Sequence, residues 1–303
     1  MRAAANGTAG DARLVAANGR VAHLSLRGKV QAGRFVAGRM RAIAAPLATL
    51  WRDPEGGPQQ RQLLFGERFL VLEERGDRVF GVARKDGYAG HVARSALGAE
   101  VAATHFVRVP ATHLRQRPEP TAPESGWLPF GSRVAVVGGR GRFLRLTDGR
   151  FVPACHLRPL ARPLPDPAAV AEMFTGAPYL WGGNSGRGID CSGLVQLALL
   201  ACGIPCPADS DLQEAMPDAA PVVAEALRRG DLLFWTGHVA LMLDGRRAVH
   251  ANAHHMTVIS EPLAAIRARI SATGGGEPTS LLRPRPALSD ARAFPELPWP
   301  APS

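Results

Sequence analysis

The stretch Tyr179–Gln196 restricts the fold more than any other part of this sequence, because a glycine-rich loop runs without interruption into an apolar helical pattern. The apolar residues after Ser192 have the spacing of a buried helix, and Gly203 marks its end. Cys191 lies in the first turn, where unpaired backbone N–H groups and the helix dipole favour a thiolate over a thiol. The pattern predicts a cysteine nucleophile. A buried, unreactive cysteine is the alternative that this stretch leaves open.

The charge of the chain does not point to nucleic acid. Lys and Arg total 36 against 26 Asp and Glu, a formal net charge of +10. The excess is scattered along the sequence and is almost entirely arginine, since only Lys29 and Lys85 are lysines. Surfaces that bind phosphate backbones cluster their charge and usually include lysine. We therefore expect no nucleic-acid partner, while a weak attraction to anionic wall polymer or to a membrane surface fits the charge equally well.

Cysteine spacing and hydropathy bear on metal binding and location. The four cysteines, Cys155, Cys191, Cys202 and Cys206, do not have a metal-finger spacing, because the last pair has no second pair to complete it. No run approaches the roughly 18 apolar residues of a membrane helix, and Met1–Asp11 lacks the apolar core of a signal peptide. We expect a cytoplasmic, reducing location, no insertion into a membrane, and no metal or cofactor.

The first half of the chain reads as an arm followed by β structure. Residues 1–45 contain too few apolar residues for a separate core, so we expect an arm of short strand or helical pieces that packs across a neighbouring domain. Residues 46–160 contain short alternating runs such as Phe69–Leu72 and Val79–Val82, separated by turn signals such as Arg75–Asp77. This pattern predicts an all-β region.

An internal repeat divides that region in two. Leu64–Val71 is echoed by Pro129–Val136 at an offset of 65 residues, and Asp86–Gly90 is echoed by Asp148–Val152. Repetition at this distance predicts two copies of one small β-barrel, at residues 46–106 and 107–160. The repeated segments resemble those of bacterial SH3-like domains, which in wall enzymes recognise or position peptide. The second copy has Arg150 at the position of Tyr88, so we assign peptide binding to the first copy alone.

The second half predicts an α+β domain. Three prolines within Leu160–Pro167 exclude a continuous helix or central strand, so residues 161–167 are predicted to be a linker. Residues 168–287 form the domain and residues 288–303 a proline-rich tail. Helices are predicted at Pro167–Phe174, after Cys191 and from Leu212. Four short apolar runs that follow are predicted as strands of an antiparallel sheet: Leu232–Trp235, His238–Leu243, Ala248–Ala251 and Met256–Ile259.

Two histidines supply what a thiol nucleophile needs, a base and a polar group that orients the base. His238 opens one predicted strand, and His250 lies 12 residues later on the next strand, across a turn at Asp244–Gly245. Adjacent strands can bring these imidazoles within hydrogen-bond distance. For either one, a structural histidine is the alternative. The remaining histidines considered are interpreted as structural: His23, His105, His113, His254 and His255.

Five segments occur in an order and spacing found together in one enzyme family: Tyr179–Gly183, Gly188–Val195, Arg229–Phe234, Gly237–Leu243 and Val249–Ala251. Through residues 167–285 the chain resembles the NlpC/P60 papain-like cysteine peptidases. Nearly the whole chain resembles the cytoplasmic γ-D-glutamyl-L-diamino acid endopeptidases of that family, the dipeptidyl-peptidase VI type, which carry N-terminal SH3-like domains. The resemblance implies a papain-like catalytic domain preceded by two small SH3-like β-barrels.

The resemblance also implies a mechanism and a substrate. Cys191 would be the nucleophile, His238 the base and His250 the orienting residue. The backbone N–H of Cys191 would contribute to an oxyanion hole, with the Tyr179 hydroxyl nearby. The implied substrate is a murein peptide with a free N-terminal L-Ala, then γ-D-Glu, then a diamino acid, and the implied role is peptidoglycan recycling.

Further residues are implied in substrate binding. Asp209 would bind the substrate amine with Ser210 beside it, since charge-assisted hydrogen bonds are strong. Glu67 and Tyr88 would close the far end of the cleft, and Trp181 would form a wall. A solvated charge and an ordinary barrel tyrosine are the alternatives for Glu67 and Tyr88.

The residues beside the nucleophile have two interpretations. Asp190 and Ser192 flank Cys191 and would line the substrate site, or they would instead cap the cysteine helix.

Other classes of protein share these sequence features. An exported peptidoglycan hydrolase would use the same triad on intact wall. A non-catalytic SH3-type wall-binding protein would need a broken triad, whereas this one is complete. An acyltransferase of the same superfamily is a more distant alternative. The sequence favours the recycling peptidase.

Overall fold

A computed structural model describes residues 11–285, 288 and 290–298. These residues form two compact units. The first comprises residues 11–102 and 296–298, and the second comprises the described residues between 103 and 295. The predicted second barrel and the predicted α+β domain therefore belong to the same unit.

The first unit contains nine strands: β1 (Val21–His23), β2 (Arg34–Val36), β3 (Arg39–Ile43), β4 (Leu47–Asp53), β5 (Gly56–Leu64), β6 (Arg68–Arg75), β7 (Arg78–Ala83), β8 (Ala89–Ala93) and β9 (Leu97–Gly98). Seven of them form one antiparallel sheet in the order β5-β4-β8-β7-β6-β3-β9, and β1 pairs with β2 in parallel. The predicted turn between β6 and β7 is present, with Gly76 at φ 58°.

The N-terminal arm contributes to this sheet. β3 pairs with β6 and β9, so the sheet begins seven residues before the predicted domain start at residue 46. Upstream of β3, Ala16 and Val21 are buried against Leu70 and Phe80. The few apolar residues of the arm thus complete one core and do not form a separate one.

The β-rich part of the second unit contains eight strands: β10 (His105–Val107), β11 (Ala111–Arg115), β12 (Glu124–Pro129), β13 (Arg133–Val134), β14 (Val136–Arg140), β15 (Phe143–Leu146), β16 (Phe151–Pro153) and β17 (Leu157–Pro159). They form a three-stranded sheet, β13-β10-β17, and a five-stranded sheet, β12-β11-β16-β15-β14.

The sequence repeat recurs in the turns of the two β regions. Gly66 and Gly131 occupy equivalent positions before β6 and β13, with φ of 79° and 81°, and Gly87 and Gly149 are likewise matched at 78° and 86°. Positive φ is accessible to glycine at little cost, which explains why the turn residues repeat. The strand pairing differs, because the first region forms one seven-stranded sheet and the second forms two smaller sheets.

The rest of the second unit contains four α-helices and eight strands. The helices are α1 (Pro167–Glu172), α2 (Cys191–Ala201), α3 (Ser210–Glu214) and α4 (Leu263–Ala272). The strands are β18 (Asn184–Ser185), β19 (Gly188–Ile189), β20 (Ala219–Pro221), β21 (Leu232–Trp235), β22 (His238–Met242), β23 (Arg247–Asn252), β24 (Thr257–Pro262) and β25 (Ser280–Pro284). Single turns of 3₁₀-helix lie at Leu24–Leu26, Arg94–Ala96, Ala154–His156 and Ala224–Ala226.

A six-stranded antiparallel sheet, β20-β25-β21-β22-β23-β24, organises this region. Every residue of α2 is buried, and the helix packs against α1, β22 and β23. The four predicted strands correspond to β21–β24. Helix α4 and strand β25 were not predicted, because neither shows a long apolar period.

The C-terminal segment packs against the rest of the second unit, although its proline content predicts a tail without a core. Strand β25 pairs with β20 and β21 although it overlaps the start of the proline-rich sequence. Farther on, Phe294 is buried and its ring lies 5.2 Å from that of Phe106 and 6.2 Å from that of Phe130. No helix among the described residues is long and apolar enough to cross a membrane.

Candidate active site

Cys191 is the first residue of α2, and its side chain is buried. Asp190 is the N-cap: its Oδ1 accepts hydrogen bonds from Gly193 N at 2.6 Å and from Ser192 Oγ at 3.0 Å. Its Oδ2 accepts one from Gly182 N at 2.8 Å. Asp190 and Ser192 are therefore placed in the capping arrangement, the alternative given for them above. One carboxylate joins the glycine loop to the helix that carries the thiol.

The glycines of the loop are required by close backbone contact. A Cβ on Gly183 would lie 2.4 Å from the carbonyl oxygen of Gly188, and a Cβ on Gly193 would lie 2.4 Å from that of Gly183. Both distances are shorter than real Cβ contacts. The loop thus presses directly on the N-terminus of α2, and this contact fixes the position of Cys191.

The two histidines meet on neighbouring strands. β22 and β23 are antiparallel partners, and Nε2 of His238 lies 2.8 Å from Nδ1 of His250. His250 is buried at 1% exposure, whereas His238 is partly exposed. The structure therefore brings together the two imidazoles that the sequence singled out.

The Cys191 thiol lies on the helix that packs against β22, the strand that carries His238. Burial and the Asp190 carboxylate raise the pKa of the Cys191 thiol to about 12, against a smaller opposing effect of the backbone N–H groups of Val239, the residue after His238, and of the start of α2. Burial, with the charges of His250 and Arg269, lowers the pKa of His238 to about 3.

These shifts correct one sequence-based expectation. A helix N-terminus alone favours a thiolate, yet the burial of Cys191 has the larger effect. At neutral pH the resting pair is a thiol and a neutral imidazole. Attack by sulfur then requires that His238 accept the thiol proton during the reaction, as a general base does.

The structure adds two residues that sequence reasoning missed, Glu261 on β24 and Arg269 on α4. Oε1 of Glu261 lies 2.9 Å from Nε2 of His250, and Arg269 binds both carboxylate oxygens at 2.7 Å. Burial opposes the charge on Glu261, but bonds from Arg269 and His250 prevail and lower its pKa to about 2.

A signal for Glu261 was present in the sequence. His250 pairs with Ile259 across the two strands, and Glu261 lies two residues beyond Ile259 on the same face. Diagonal neighbours of this kind are within reach of long side chains. Continuing the alternation of β24 by one more step would have placed the carboxylate beside His250.

Two family models match parts of this chain. The NlpC/P60 family model matches residues 176–268, and the model of the bacterial dipeptidyl-peptidase SH3 domain matches residues 50–97. The chain thus contains an NlpC/P60 domain, the domain of a cysteine peptidase family, and a bacterial dipeptidyl-peptidase SH3 domain. The SH3 match lies within the first unit, and the NlpC/P60 match contains Cys191, His238 and His250.

Three curated relatives give the extent of the similarity. The gamma-D-glutamyl-L-lysine dipeptidyl-peptidase of Bacillus subtilis is 29% identical over 63% of this chain and 72% of its own length. The protein of the same name from Bacillus cereus is 32% identical over 43% and 41%, respectively. Dipeptidyl-peptidase 6 of Lysinibacillus sphaericus is 42% identical over 27% and 30%. The chain thus spans less than half of the latter two relatives.

A solved structure shares the fold. An NlpC/P60 family protein from Bacillus cereus superposes with a TM-score of 0.67 at 20% identity, covering 85% of this chain and the whole of that chain. At this identity the likeness concerns the fold alone.

Tyr179 and Asp209, two of the predicted binding residues, differ in their environment and backbone conformation. Tyr179 is half-buried. Its burial, and to a smaller extent its neighbours Cys191 and Asp190, raise the pKa of its hydroxyl to about 12. The hydroxyl therefore stays protonated at neutral pH. Asp209 precedes α3 and has φ 31°, a left-handed conformation that is uncommon for a residue with a side chain. Strained backbone of this kind is concentrated at functional sites.

The other predicted binding residues differ in exposure. Trp181 is 66% exposed, and Ser210 is buried at the start of α3. In the first unit, Glu67 and Tyr88 are both buried. Nζ of Lys85 lies 3.1 Å from Oε1 of Glu67, so the interpretation of Glu67 as a solvated charge is wrong.

His255, which the sequence analysis interprets as structural, also contacts Glu261. Its Nε2 lies 3.3 Å from Oε2 of that carboxylate.

The described residues contain no candidate metal site. Within residues 11–285, 288 and 290–298, no group of three or more His, Cys, Asp or Glu side chains is placed to hold a metal ion.

The lowered pKa of His238 predicts the pH dependence of the NlpC/P60 domain. A base with a pKa of about 3 is neutral throughout the range above it, so kcat/KM should change less than about twofold between pH 7.5 and pH 5. A histidine base with an ordinary pKa near 6.5 would lose about thirtyfold over this interval.

Initial rates at constant ionic strength, with the fold checked by circular dichroism, measure this profile. The control is needed because the unfolded chain, with an ordinary histidine, binds the proton more readily, so stability falls as the pH drops below about 6.5. A rate that follows an ordinary imidazole titration while the fold is intact would contradict the prediction.

Proposed function

We propose that this protein hydrolyses the γ-D-glutamyl-L-diamino acid bond of murein peptides that carry a free N-terminal L-Ala, as part of peptidoglycan recycling. The observation that carries the proposal is the hydrogen-bonded pair of His238 and His250 on the strands packed against the Cys191 helix. The curated relatives named above as gamma-D-glutamyl-L-lysine dipeptidyl-peptidases support the choice of bond.

In the proposed reaction, the Cys191 sulfur attacks the γ-carboxamide carbon while His238 takes the thiol proton. The oxygen of the tetrahedral intermediate accepts a hydrogen bond from the backbone N–H of Cys191. The protonated Tyr179 hydroxyl donates a second hydrogen bond to it. The C–N bond then breaks, and His238 gives its proton to the departing amine of the diamino acid. Water, deprotonated by His238, cleaves the thioester. This step releases the L-Ala-D-Glu dipeptide and restores the thiol.

Asp209 is proposed to recognise the substrate amine. Helix α3, which follows Asp209, packs against α2 and β22, the elements that carry Cys191 and His238. The carboxylate of Asp209 is half-buried, and a half-buried carboxylate binds an ammonium group strongly. In intact wall this amine is acylated and uncharged, so the proposed enzyme acts on released peptides.

Other predicted binding residues retain their proposed roles. In the first unit, Oε2 of Glu67 is buried and has no hydrogen-bond partner among the described residues, so it can accept a bond from a ligand. We propose that Glu67 and Tyr88 contribute to peptide recognition, and that Trp181 and Ser210 line the substrate site.

The proposed location is the cytoplasm. All four cysteines are free, including the exposed Cys155, which suits a reducing compartment. The second β region, residues 107–160, is proposed to be a second SH3-like barrel on the evidence of its repeated turns.

Two peptides test the proposal. Purified protein is incubated with L-Ala-γ-D-Glu-diaminopimelate and with its N-acetylated form, and dipeptide release is followed by chromatography. We expect cleavage of the free-amine peptide and at least about a hundredfold lower kcat/KM for the acetylated one, because leaving the half-buried Asp209 carboxylate without its charged partner costs about 3 kcal/mol. Equal rates would contradict amine recognition and favour the exported wall hydrolase, whereas cleavage of neither peptide would exclude this peptidase activity.

The residue assigned to the amine is tested by Asp209→Asn. This change removes the negative charge at nearly constant volume, so KM for the free-amine peptide should rise by roughly ten- to a hundredfold, with kcat little altered. Asp218→Asn is the matched control, since Asp218 is exposed and pairs only loosely with Arg285 at 3.6 Å. An unchanged kcat/KM for Asp209→Asn would assign the amine to another group.

A further inference from the structure

The imidazole of His250 has two neighbours that compete for one nitrogen. Its Nε2 lies 2.9 Å from Oε1 of Glu261 and 3.1 Å from Nδ2 of Asn252. Oδ1 of Asn252 accepts a bond from the backbone N–H of His255 at 2.8 Å, and this bond directs the donor side of the amide at His250. A carboxylate accepts a hydrogen bond, whereas an amide nitrogen donates one.

The two neighbours therefore require opposite tautomers of His250. A neutral imidazole nitrogen either carries a proton and donates, or lacks one and accepts. Glu261 favours the tautomer with the proton on Nε2, and Asn252 favours the tautomer with the proton on Nδ1. Because His250 is 1% exposed, water does not relieve this competition at little cost.

The charge of Glu261 decides the competition. Arg269 binds its two oxygens through Nη1 and Nη2 at 2.7 Å each, a bidentate contact that keeps the carboxylate ionised. His255 is a further titratable group at this carboxylate, with its Nε2 3.3 Å from Oε2. A charge-assisted bond to Glu261 is stronger than a bond to a neutral amide, so the proton of His250 lies on Nε2.

The tautomer of His250 then fixes that of His238. With Nε2 protonated, Nδ1 of His250 has a free lone pair and accepts the Nε2–H of His238 across 2.8 Å. His238 consequently has its own lone pair on Nδ1, the nitrogen left to accept the thiol proton of Cys191. In the opposite tautomer His238 would carry a proton on Nδ1 and could not act as a base there.

We propose that Glu261, held by Arg269, is a positioning residue that sets the proton positions of both His250 and His238 so that His238 can act as the base. Glu261 acts through His250, to which it is hydrogen-bonded. The kinetic part of the test rests on the proposed function, whereas the spectroscopic part does not need a substrate.

The first test uses the unmodified protein. Long-range ¹H–¹⁵N spectra of uniformly ¹⁵N-labelled protein distinguish protonated from unprotonated imidazole nitrogens. We expect His238 and His250 both to be protonated on Nε2 at pH 7. A proton on Nδ1 of His250 would overturn the proposal, and this result does not depend on the folding of any variant or on the identity of the substrate.

The second test uses Glu261→Gln, which keeps the size of the side chain and removes its charge. We expect His250 to change to the Nδ1–H tautomer, and kcat to fall by at least about a hundredfold with KM within threefold, since loss of a general base costs about that much. Alkylation of Cys191 by iodoacetamide, resolved by mass spectrometry, should slow in parallel. An unchanged kcat, or a lower kcat with unchanged tautomers, would overturn the proposal.

Glu277→Gln is the matched control. Glu277 is an exposed glutamate whose carboxylate pairs with Arg267 of α4, the helix that also carries Arg269. The hydrogen bonds that its carboxylate accepts come from Arg267. This variant should keep the tautomers, the alkylation rate and kcat, and a loss comparable to that of Glu261→Gln would show a general charge effect and overturn the specific role of Glu261.

Discussion

Replacement of Cys191 by alanine is expected to abolish hydrolysis of L-Ala-γ-D-Glu-diaminopimelate, with kcat reduced by at least about 10⁴-fold, because no covalent intermediate can form without the nucleophile. The fold should remain, since the change removes one sulfur atom and leaves the Asp190 cap of α2 intact. Chromatographic assay of the peptide and thermal unfolding by circular dichroism measure the two effects separately.

The chain provides a matched control in Cys202. This cysteine lies at the opposite end of α2, is also buried, and has its pKa raised by burial to about 12. Cys202→Ala should retain kcat, because Cys202 is remote from the histidine pair by the length of the helix. Turnover above about 1% in Cys191→Ala would remove Cys191 as the nucleophile, since loss of the nucleophile costs far more than this.

Replacement of Gly193 by alanine is expected to destabilise the protein and inactivate it. Its new Cβ would lie 2.4 Å from the Gly183 carbonyl oxygen and 2.6 Å from Oδ1 of Asn184. Alanine gains about 1 kcal/mol in helix propensity, but overpacking against backbone costs about 1–3 kcal/mol or more. Because the clash is with backbone, the upper end of that range applies, and we expect a net loss of about 2 kcal/mol in unfolding free energy. Displacement of the loop should lower kcat/KM by about a hundredfold.

Gly186→Ala tests whether the contact is responsible. Gly186 lies in the same loop, and a Cβ there would have no heavy atom within 4 Å. This variant should change the urea midpoint and kcat/KM little. If Gly193→Ala and Gly186→Ala behaved alike, the close contact between Gly183 and Gly193 would not be what positions Cys191.

The positions of site residues that depend on local sequence patterns could be predicted. Cys191 could be placed because a glycine loop and an apolar helix adjoin it, and the histidine pair could be placed because a predicted hairpin separates its members by 12 residues. Glu261 and Arg269 could not be placed in the same way. Their contact depends on the pairing of β23 with β24 and on the packing of α4, a helix that has no clear apolar period.

The burial and pKa of a site residue were harder to predict than its position, and strand pairing was harder to predict than local turns. The first turn of a helix favours a thiolate, but burial raises the pKa of Cys191 to about 12. That burial depends on the packing of α2 against α1, β22 and β23, which are distant from it in sequence. Likewise, the local turns of the β repeat could be read from Gly66 and Gly131, whereas strand pairing depends on contacts distant in sequence. The arm showed the same limit, since β3 joins a sheet whose other strands follow it.

The hydrogen bonds that the Asp190 carboxylate accepts from Gly182, Ser192 and Gly193 have a consequence for engineering. Because this one carboxylate is hydrogen-bonded to Gly182, Ser192 and Gly193, the loop and the first turn of α2 form a single structural unit. A loop taken from a relative to alter selectivity should therefore be exchanged from residue 182 through residue 193. Shorter grafts would separate the cap from one of its partners and displace the thiol they were meant to preserve.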